Sequence, residues 1–271
     1  MNRRQFFAVP YAAWMAVFVL APIILIVIYA FTSDSGQFTL SNFSTMGDFV
    51  AVFSRSFILA IISTIICLLL GYPMSCILAR EKKRAQRIIM MLLMLPMWMN
   101  FLLRTYAWMS ILENKGLLNR LLAFLHLPTV NIINTQAAVV IGMIYNFLPF
   151  MILPIYSVIV KIDRSLIEAA QDLGGSPRAV FSRVTLPLSL PGVISGITMV
   201  FVPAVSTFVI SQLLGGGTEI LLGDLIEMQF LGQAYNPHLG SAIALVMMVV
   251  VMLFMFVMNK FGESDGNTVL M

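Results

Sequence analysis

Apolar residues fall along this chain in long unbroken runs, not in the alternating or 3.6-residue patterns of a half-buried soluble fold. Six stretches are long and apolar enough to cross a bilayer: approximately residues 11–31, 57–79, 88–109, 136–160, 191–213 and 240–259. Each is close to the ~20 residues that a helix needs to span hydrocarbon. The pattern therefore predicts an all-α fold, a polytopic membrane helix bundle of about six transmembrane helices. The third stretch is the weakest, because it holds Pro96, Asn100 and Arg104. The fourth holds Pro149 and Pro154, which are expected to kink it unless neighbours satisfy the carbonyls they free. In the fifth, Gly192 and Gly196 form a small-xxx-small pair, expected to let helices pack closely. The first run follows Arg3 and Arg4, as a signal peptide would. It is longer than the ~7–15 residues of a signal h-region, and no clean cleavage site follows, so it is expected to stay.

Composition agrees with a lipid solvent. Of 271 residues, 60% are hydrophobic and 10% charged, with a mean hydropathy of +0.96. Soluble domains carry about 25% charged residues. The net charge of +4 does not indicate nucleic acid, because the basic residues gather in particular loops. Arg3, Arg4, Arg80, Lys82, Lys83, Arg84, Arg87, Lys161, Arg164, Arg178, Arg183 and Lys260 fall on one side, which is 12 of 16. Arg55, Arg104, Lys115 and Arg120 fall on the other. The positive-inside rule then makes both termini and the loops 80–87 and 161–190 cytoplasmic. Segments 32–56, 110–135 and 214–239 face outward. No linker or repeat divides the chain, so residues 1–271 read as a single transmembrane domain. Cys67 and Cys76, nine residues apart, point to opposite faces of one helix and are expected to be small buried apolar residues.

The longest cytoplasmic loop, 161–190, is patterned. Asp163 is a candidate N-cap, with Ser165 and Glu168 as an alternative capping box. Residues 164–173 are predicted to be helical, with Leu166, Ile167, Ala170 and Leu173 as an apolar stripe. Gly174 and Gly175 stop that helix, one of them left-handed. Ser176 caps a second helix with Pro177 in its first position, Pro187 ends it, and Pro191 opens the fifth span. Small Ala169 and Ala170 would let another surface approach closely, the shape of a docking element.

The order Glu168-Ala169-Ala170, three residues, Gly174, nine residues, Val184, one residue, Leu186-Pro187 resembles the EAA loop of ABC importer permeases. Val184 stands where the usual pattern has isoleucine. The resemblance implies the ABC importer type I permease fold, in which this loop inserts as coupling helices into an ATPase subunit. Glu168, Ala169, Ala170, Asp172, Gly174, Leu186 and Pro187 would then form the ATPase-coupling joint. It also implies the partners: two copies of a nucleotide-binding ATPase, a second permease subunit that is a different chain, an extracytoplasmic solute-binding protein and membrane lipids. ATP and Mg would be used by the ATPase, with no cofactor in this chain, which would sit in the bacterial inner membrane.

Beyond the loop, Leu95-Pro96-Met97-Trp98-Met99-Asn100, Leu148-Pro149-Phe150-Met151 and Leu213-Leu214-Gly215-Gly216-Gly217 resemble the B-type permeases of the spermidine/putrescine subfamily. That resemblance implies a polyamine cargo. A polyamine path wants aromatic faces, neutral oxygens and a few carboxylates. Trp98, Asn100, Tyr106, Trp108, Tyr145, Asn146, Asp224 and Glu227 are the candidates. The outward segments hold Asp34, Asp48, Glu113, Glu219, Asp224 and Glu227 against four bases, a local excess that suits a cation. Trp and Tyr near span ends also serve as interfacial belts, and Asn100 and Asn146 could bond between helices. Arg104 is expected to pair with an outward acid or stabilise a gate. Thiosulfate, iron or another anion is the alternative cargo, and a secondary transporter a more distant one. No phosphate-binding G-x-x-x-x-G-K-[ST] loop occurs, so ATP hydrolysis is assigned to the partner. His126 and His238 fall in outward loops, where a lone histidine is usually solvated.

Overall fold

The structure is a computed structural model that describes residues 10–11, 13–232 and 234–266, with side chains as far as 260. Arg3 and Arg4 lie outside the described residues. Among the described residues every regular element is a helix, and the one β-bridge, Thr32 with Phe38, is isolated. After α1 (Ala13–Ala30), a short helix at Ser41–Ser44 and a 3-10 turn at Thr45–Phe49 lead into α2 (Val50–Arg80), followed by α3 (Lys83–Trp98), α4 (Phe101–Leu112), α5 (Leu117–Phe124) and α6 (Gln136–Ile159). There follow α7 (Arg164–Asp172), α8 (Pro177–Val180), α9 (Leu186–Ser206), α10 (Val209–Leu214), α11 (Leu222–Leu231) and α12 (Pro237–Gly266). Among the described residues five helices are long and apolar enough to cross a membrane, or six if α3 with α4–α5 counts as one broken span.

That broken span corrects the third predicted stretch, 88–109, which is not one helix. Met99 and Asn100 take extended ψ values of 149° and 130°, and the helices on either side are bent by 92°. Pro96 has no N–H to continue the ladder of α3. Asn100 then restarts the helix as an N-cap, its Oδ1 accepting the N–H groups of Leu102 and Leu103 at 2.9 and 3.3 Å. Its polar group is thus satisfied within its own turn, not between helices.

The fifth stretch is corrected at both ends. Pro187 does not end the second loop helix: α8 continues through a π turn at Phe181–Thr185 into α9, which carries Pro187 and Pro191 inside one helical run. The wider turn, closed by Leu186 N–H onto the Phe181 carbonyl, makes room for the Pro187 ring in the turn where it would otherwise clash. At its far end α9 stops at Ser206, where Thr207 turns extended, and α10 begins after Phe208. The three segments expected to face outward also contain helix: Ser41–Ser44 inside 32–56, α5 inside 110–135 and α11 inside 214–239.

The chain divides into two compact units, one of residues 1–53 with 225–252 and one of 54–224 with 253–271. In the first, His238 is not a solvated loop residue. Its Nδ1 lies 3.0 Å from the Tyr29 carbonyl and 3.3 Å from Thr32 Oγ1, and its ring 5.1 Å from that of Tyr29. Asn42 donates to the Ala30 and Thr32 carbonyls at 3.0 and 3.1 Å, closing the end of α1.

The second unit is organised on α6, whose Met143, Met151, Ile152 and Ile155 are fully buried. Its two prolines do not interrupt it. Groups on α2 bond α6 carbonyls near each proline: Ser75 Oγ to Ile152 at 3.1 Å, and Cys67 Sγ to Ile144 at 3.9 Å. Against its other side lies α9. A Cβ at Gly192 would sit 2.9 Å from the Pro154 carbonyl oxygen and 3.0 Å from Ile155 Cα. One at Gly196 would sit 2.8 Å from Met151 Sδ. The small-xxx-small pair therefore brings two backbones together, as expected. The outward faces of these helices, such as Ile58, Ile61, Ile65 and Leu69 on α2, are exposed and apolar, as surfaces toward lipid are. Gly192→Leu should wedge α6 from α9 and cost about 1–3 kcal/mol, the usual overpacking penalty. A lowered thermal midpoint of the detergent-purified protein, with Ser195→Ala unchanged as control, is the expected measurement.

Candidate coupling loop and transport path

The 161–190 loop forms the helix-turn-helix that its sequence predicts. Asp163 Oδ1 accepts the Ser165 N–H at 3.0 Å, so the N-cap is Asp163 and not the Ser165–Glu168 box. That bond holds the Asp163 carboxyl below the usual carboxylate value of 3.8. Its contribution is therefore present above that value and lost as pH falls through the lowered pKa, so the cap is intact near neutrality. Gly174 takes φ +79°, and its N–H closes onto the Gln171 carbonyl at 2.8 Å. Gly175 N–H reaches the Ala170 carbonyl at 3.0 Å. Ser176 Oγ then accepts the Ala179 N–H at 3.3 Å, with Pro177 in the first helical position.

The faces of α7 differ from the predicted stripe. Ile167 and Ala170 turn inward, but Leu166 is exposed and Leu173 is 89% exposed. Glu168, Ala169, Asp172 and Gly174 share the open side, and Leu186 and Pro187 are exposed at the start of α9. Leu173 is the residue that sequence reasoning misplaced. Its place beside the Gly174 turn was the available signal.

Side chains tie the segments expected to be cytoplasmic to the spans, the 161–190 loop through Tyr72 and the 80–87 loop through Gln86. Tyr72 of α2 is within 2.8 Å of Ser189 Oγ on α9, and its ring meets that of Phe181 edge-on at 5.8 Å. Tyr156 of α6 donates to Gln86 Oε1 at 3.1 Å, while Gln86 Nε2 donates to the Ala79 and Glu81 carbonyls at 3.1 and 2.9 Å. Between α7 and the 80–83 turn lies a cleft of about 920 Å³, lined by Arg80, Lys82, Lys83, Arg164, Glu168 and Gln171 among others.

Of the candidate path residues, the structure brings together Trp108 and Tyr145, whose rings are 5.1 Å apart and tilted by 60°. Arg104 joins them, its guanidinium 5.8 Å from the Tyr145 ring and 5.7 Å from Phe101. Among the described residues no carboxylate pairs with Arg104, so the predicted acid partner is not there. Its Nη1 instead donates to the Pro96 carbonyl at 2.8 Å, bridging the break between α3 and α4. Asn146, beside Tyr145, is buried and donates to the Gly142 carbonyl at 2.8 Å, while its Oδ1 has no partner. Trp98 and Tyr106 do not join the cluster and stand exposed, at 78% and 47%.

The acids are less available than the sequence suggests. Asp224 is buried in the first turn of α11, where its Oδ2 accepts the Leu221 N–H at 2.8 Å. Glu227, one turn on, is half-buried. Glu219 is held by Arg55 at 2.9 Å and by Gln136 Nε2 at 3.1 Å.

Residues 71–263 match the family described as binding-protein-dependent transport system inner membrane component, and the chain belongs to that family. It is 37% identical over 254 residues to the spermidine/putrescine transport system permease protein PotB of Escherichia coli K12, covering 90% of this chain and 92% of that one. It is 38% identical over 256 residues to the protein of the same name from Haemophilus influenzae, covering 90% and 89%. Its fold is that of ABC importer type I permeases. A bacterial ABC transporter that imports the acidic polysaccharide alginate superimposes with a TM-score of 0.81 at 17% identity, over 96% of this chain and 94% of that one.

Gly174→Val places a β-branched residue at φ +79°, which costs about 1–2 kcal/mol and distorts the turn. Transport should fall more than tenfold at an unchanged amount of protein in the membrane. Normal uptake at normal expression would sink the assignment of this turn.

Proposed function

We propose that this chain is one of two permease subunits of an ATP-driven polyamine importer, and that α7 and α8 are its joint with the ATPase. The observation that carries the coupling reading is continuity. Glu168, Ala169, Asp172 and Leu173 project from a capped helix, and the next helix runs without a break into α9. A rigid lever of this kind converts closure of an ATPase pair into movement of a span. Two ATPase copies would use ATP and Mg, and this chain would hydrolyse none itself. The second permease would be a different chain, and a solute-binding protein would deliver cargo from the outer side. Both termini and the 161–190 loop would be cytoplasmic, in keeping with the Lys and Arg distribution.

The polyamine reading is supported by the similarity to two spermidine/putrescine permeases along most of their length. The Trp108–Tyr145 pair and the unpartnered Oδ1 of the buried Asn146 would supply an ammonium with aromatic rings and a neutral oxygen. Trp98, Asn100, Tyr106, Asp224 and Glu227 would belong to the path less directly. One observation favours the second reading, an anion: Arg104 is a buried cation without an acid partner among the described residues.

Uptake of labelled spermidine in cells lacking their own polyamine importers separates these. The complete set of subunits should restore uptake, and deletion of this chain should abolish it. So should Glu168→Gln combined with Gly174→Val, with the complex still assembled. An assembled complex that never takes up spermidine, but does take up thiosulfate or iron, would discard the polyamine cargo and keep the permease.

A further inference from the structure

A buried arginine in a lipid-length segment is costly, and its setting here is specific. Arg104 is 9% exposed, with one nitrogen on the Pro96 carbonyl at 2.8 Å and Nε without any partner. What compensates the charge is the pair of rings at 5.7 and 5.8 Å, Phe101 and Tyr145. A guanidinium over a ring face uses the same quadrupole that would receive a substrate ammonium. The Tyr145 ring, which also packs against Trp108, therefore already carries a cation in this conformation.

We infer that Arg104 is a tethered stand-in for the cargo: it occupies the cation site on Tyr145 when no cargo is present, and an ammonium group must displace it to bind. This rests on the polyamine reading and deepens it, because it turns the one feature that favoured an anion into a competitor for the same ring. The pivot is in the fold. Arg104 lies one turn past the break at Met99–Asn100, so a change in the 92° bend between α3 and α4 moves the guanidinium relative to α6. The bond to Pro96 gives it a second resting place at the end of α3. Displacement therefore leaves the charge with one hydrogen bond still made. The device keeps weakly held monocations off the site, since each must compete with a cation fixed at high local concentration. A cargo with several ammonium groups gains contacts elsewhere along the path and wins the exchange.

The test is equilibrium binding of labelled spermidine to the detergent-purified full complex without the solute-binding protein. Arg104→Gln keeps a donor for Pro96 but removes the charge, and should tighten spermidine binding about three- to thirtyfold. Arg104→Lys keeps a competing cation and should bind as the unaltered protein does. Tyr145→Leu removes the shared face and should weaken binding, with Arg104→Gln then giving no gain on that background. A purely structural arginine predicts weaker or unchanged binding in Arg104→Gln, and either result overturns the inference while leaving the polyamine reading in place. The double variant guards against misfolding, because a gain from Arg104→Gln that persists without Tyr145 also overturns it. Failure of every form to bind spermidine, in complexes that still hydrolyse ATP, overturns both readings together.

Discussion

The close approach of α9 to α6 is the contact on which the second unit depends. At Gly192 and Gly196 there is no side chain between the two helices, so the backbone of α9 rests on Pro154, Ile155 and Met151. In a bilayer the hydrophobic effect does not press helices together, since lipid tails are as apolar as leucine. Dispersion at short range does so, and it needs small residues where axes meet. This contact joins two ends with different chemistry. At one end α9 is continuous with α8 and its Ser189 meets Tyr72 of α2; along α6 lie Tyr145 and Asn146. A displacement of the loop would thereby reach the helix that carries the candidate path.

Irregular backbone in this protein sits where polar groups can meet it. The break at Met99–Asn100 is capped by the Asn100 side chain and crossed by Arg104 to the Pro96 carbonyl. The prolines of α6 are accompanied by a serine and a cysteine from α2. The π turn before Pro187 keeps one helical run where a proline would otherwise stop it. Each device answers the same constraint: hydrocarbon supplies no hydrogen bonds, so every departure from a regular helix must be satisfied by the protein.

The charges follow a related rule. Glu219 is spent on Arg55 and Gln136, and Asp224 on the start of α11. Acids counted as available for a cation are thus partly structural, while Arg104, counted as needing an acid, is settled on carbonyl and ring faces. A cation path here would depend more on aromatic faces and neutral oxygens than on carboxylates. That suits passing a cargo onward more than holding it, because strong ionic binding at membrane depth would retain it.

The helical class, the approximate spans and the local form of the 161–190 loop were legible in the order of residues, because these rest on short-range physics. Hydropathy over ~20 residues decides a span, and Asp163, Gly174, Ser176 and Pro177 each act within one turn. Gly192 and Gly196 were legible for the same reason, a four-residue spacing with one meaning in lipid. Only the tertiary structure decided the rest. Whether Pro96 and Pro187 stop, break or pass within a helix depended on a capping asparagine in one case and a π turn in the other. That Leu173 faces out, and Asp224 in, depended on which face the neighbouring helices cover. The partner of Arg104 came from the ring of a residue 41 positions away (104 to 145), at a distance no periodicity reports. Side-chain partners across a bundle are set by where whole helices pack, and that is a property of the assembled chain.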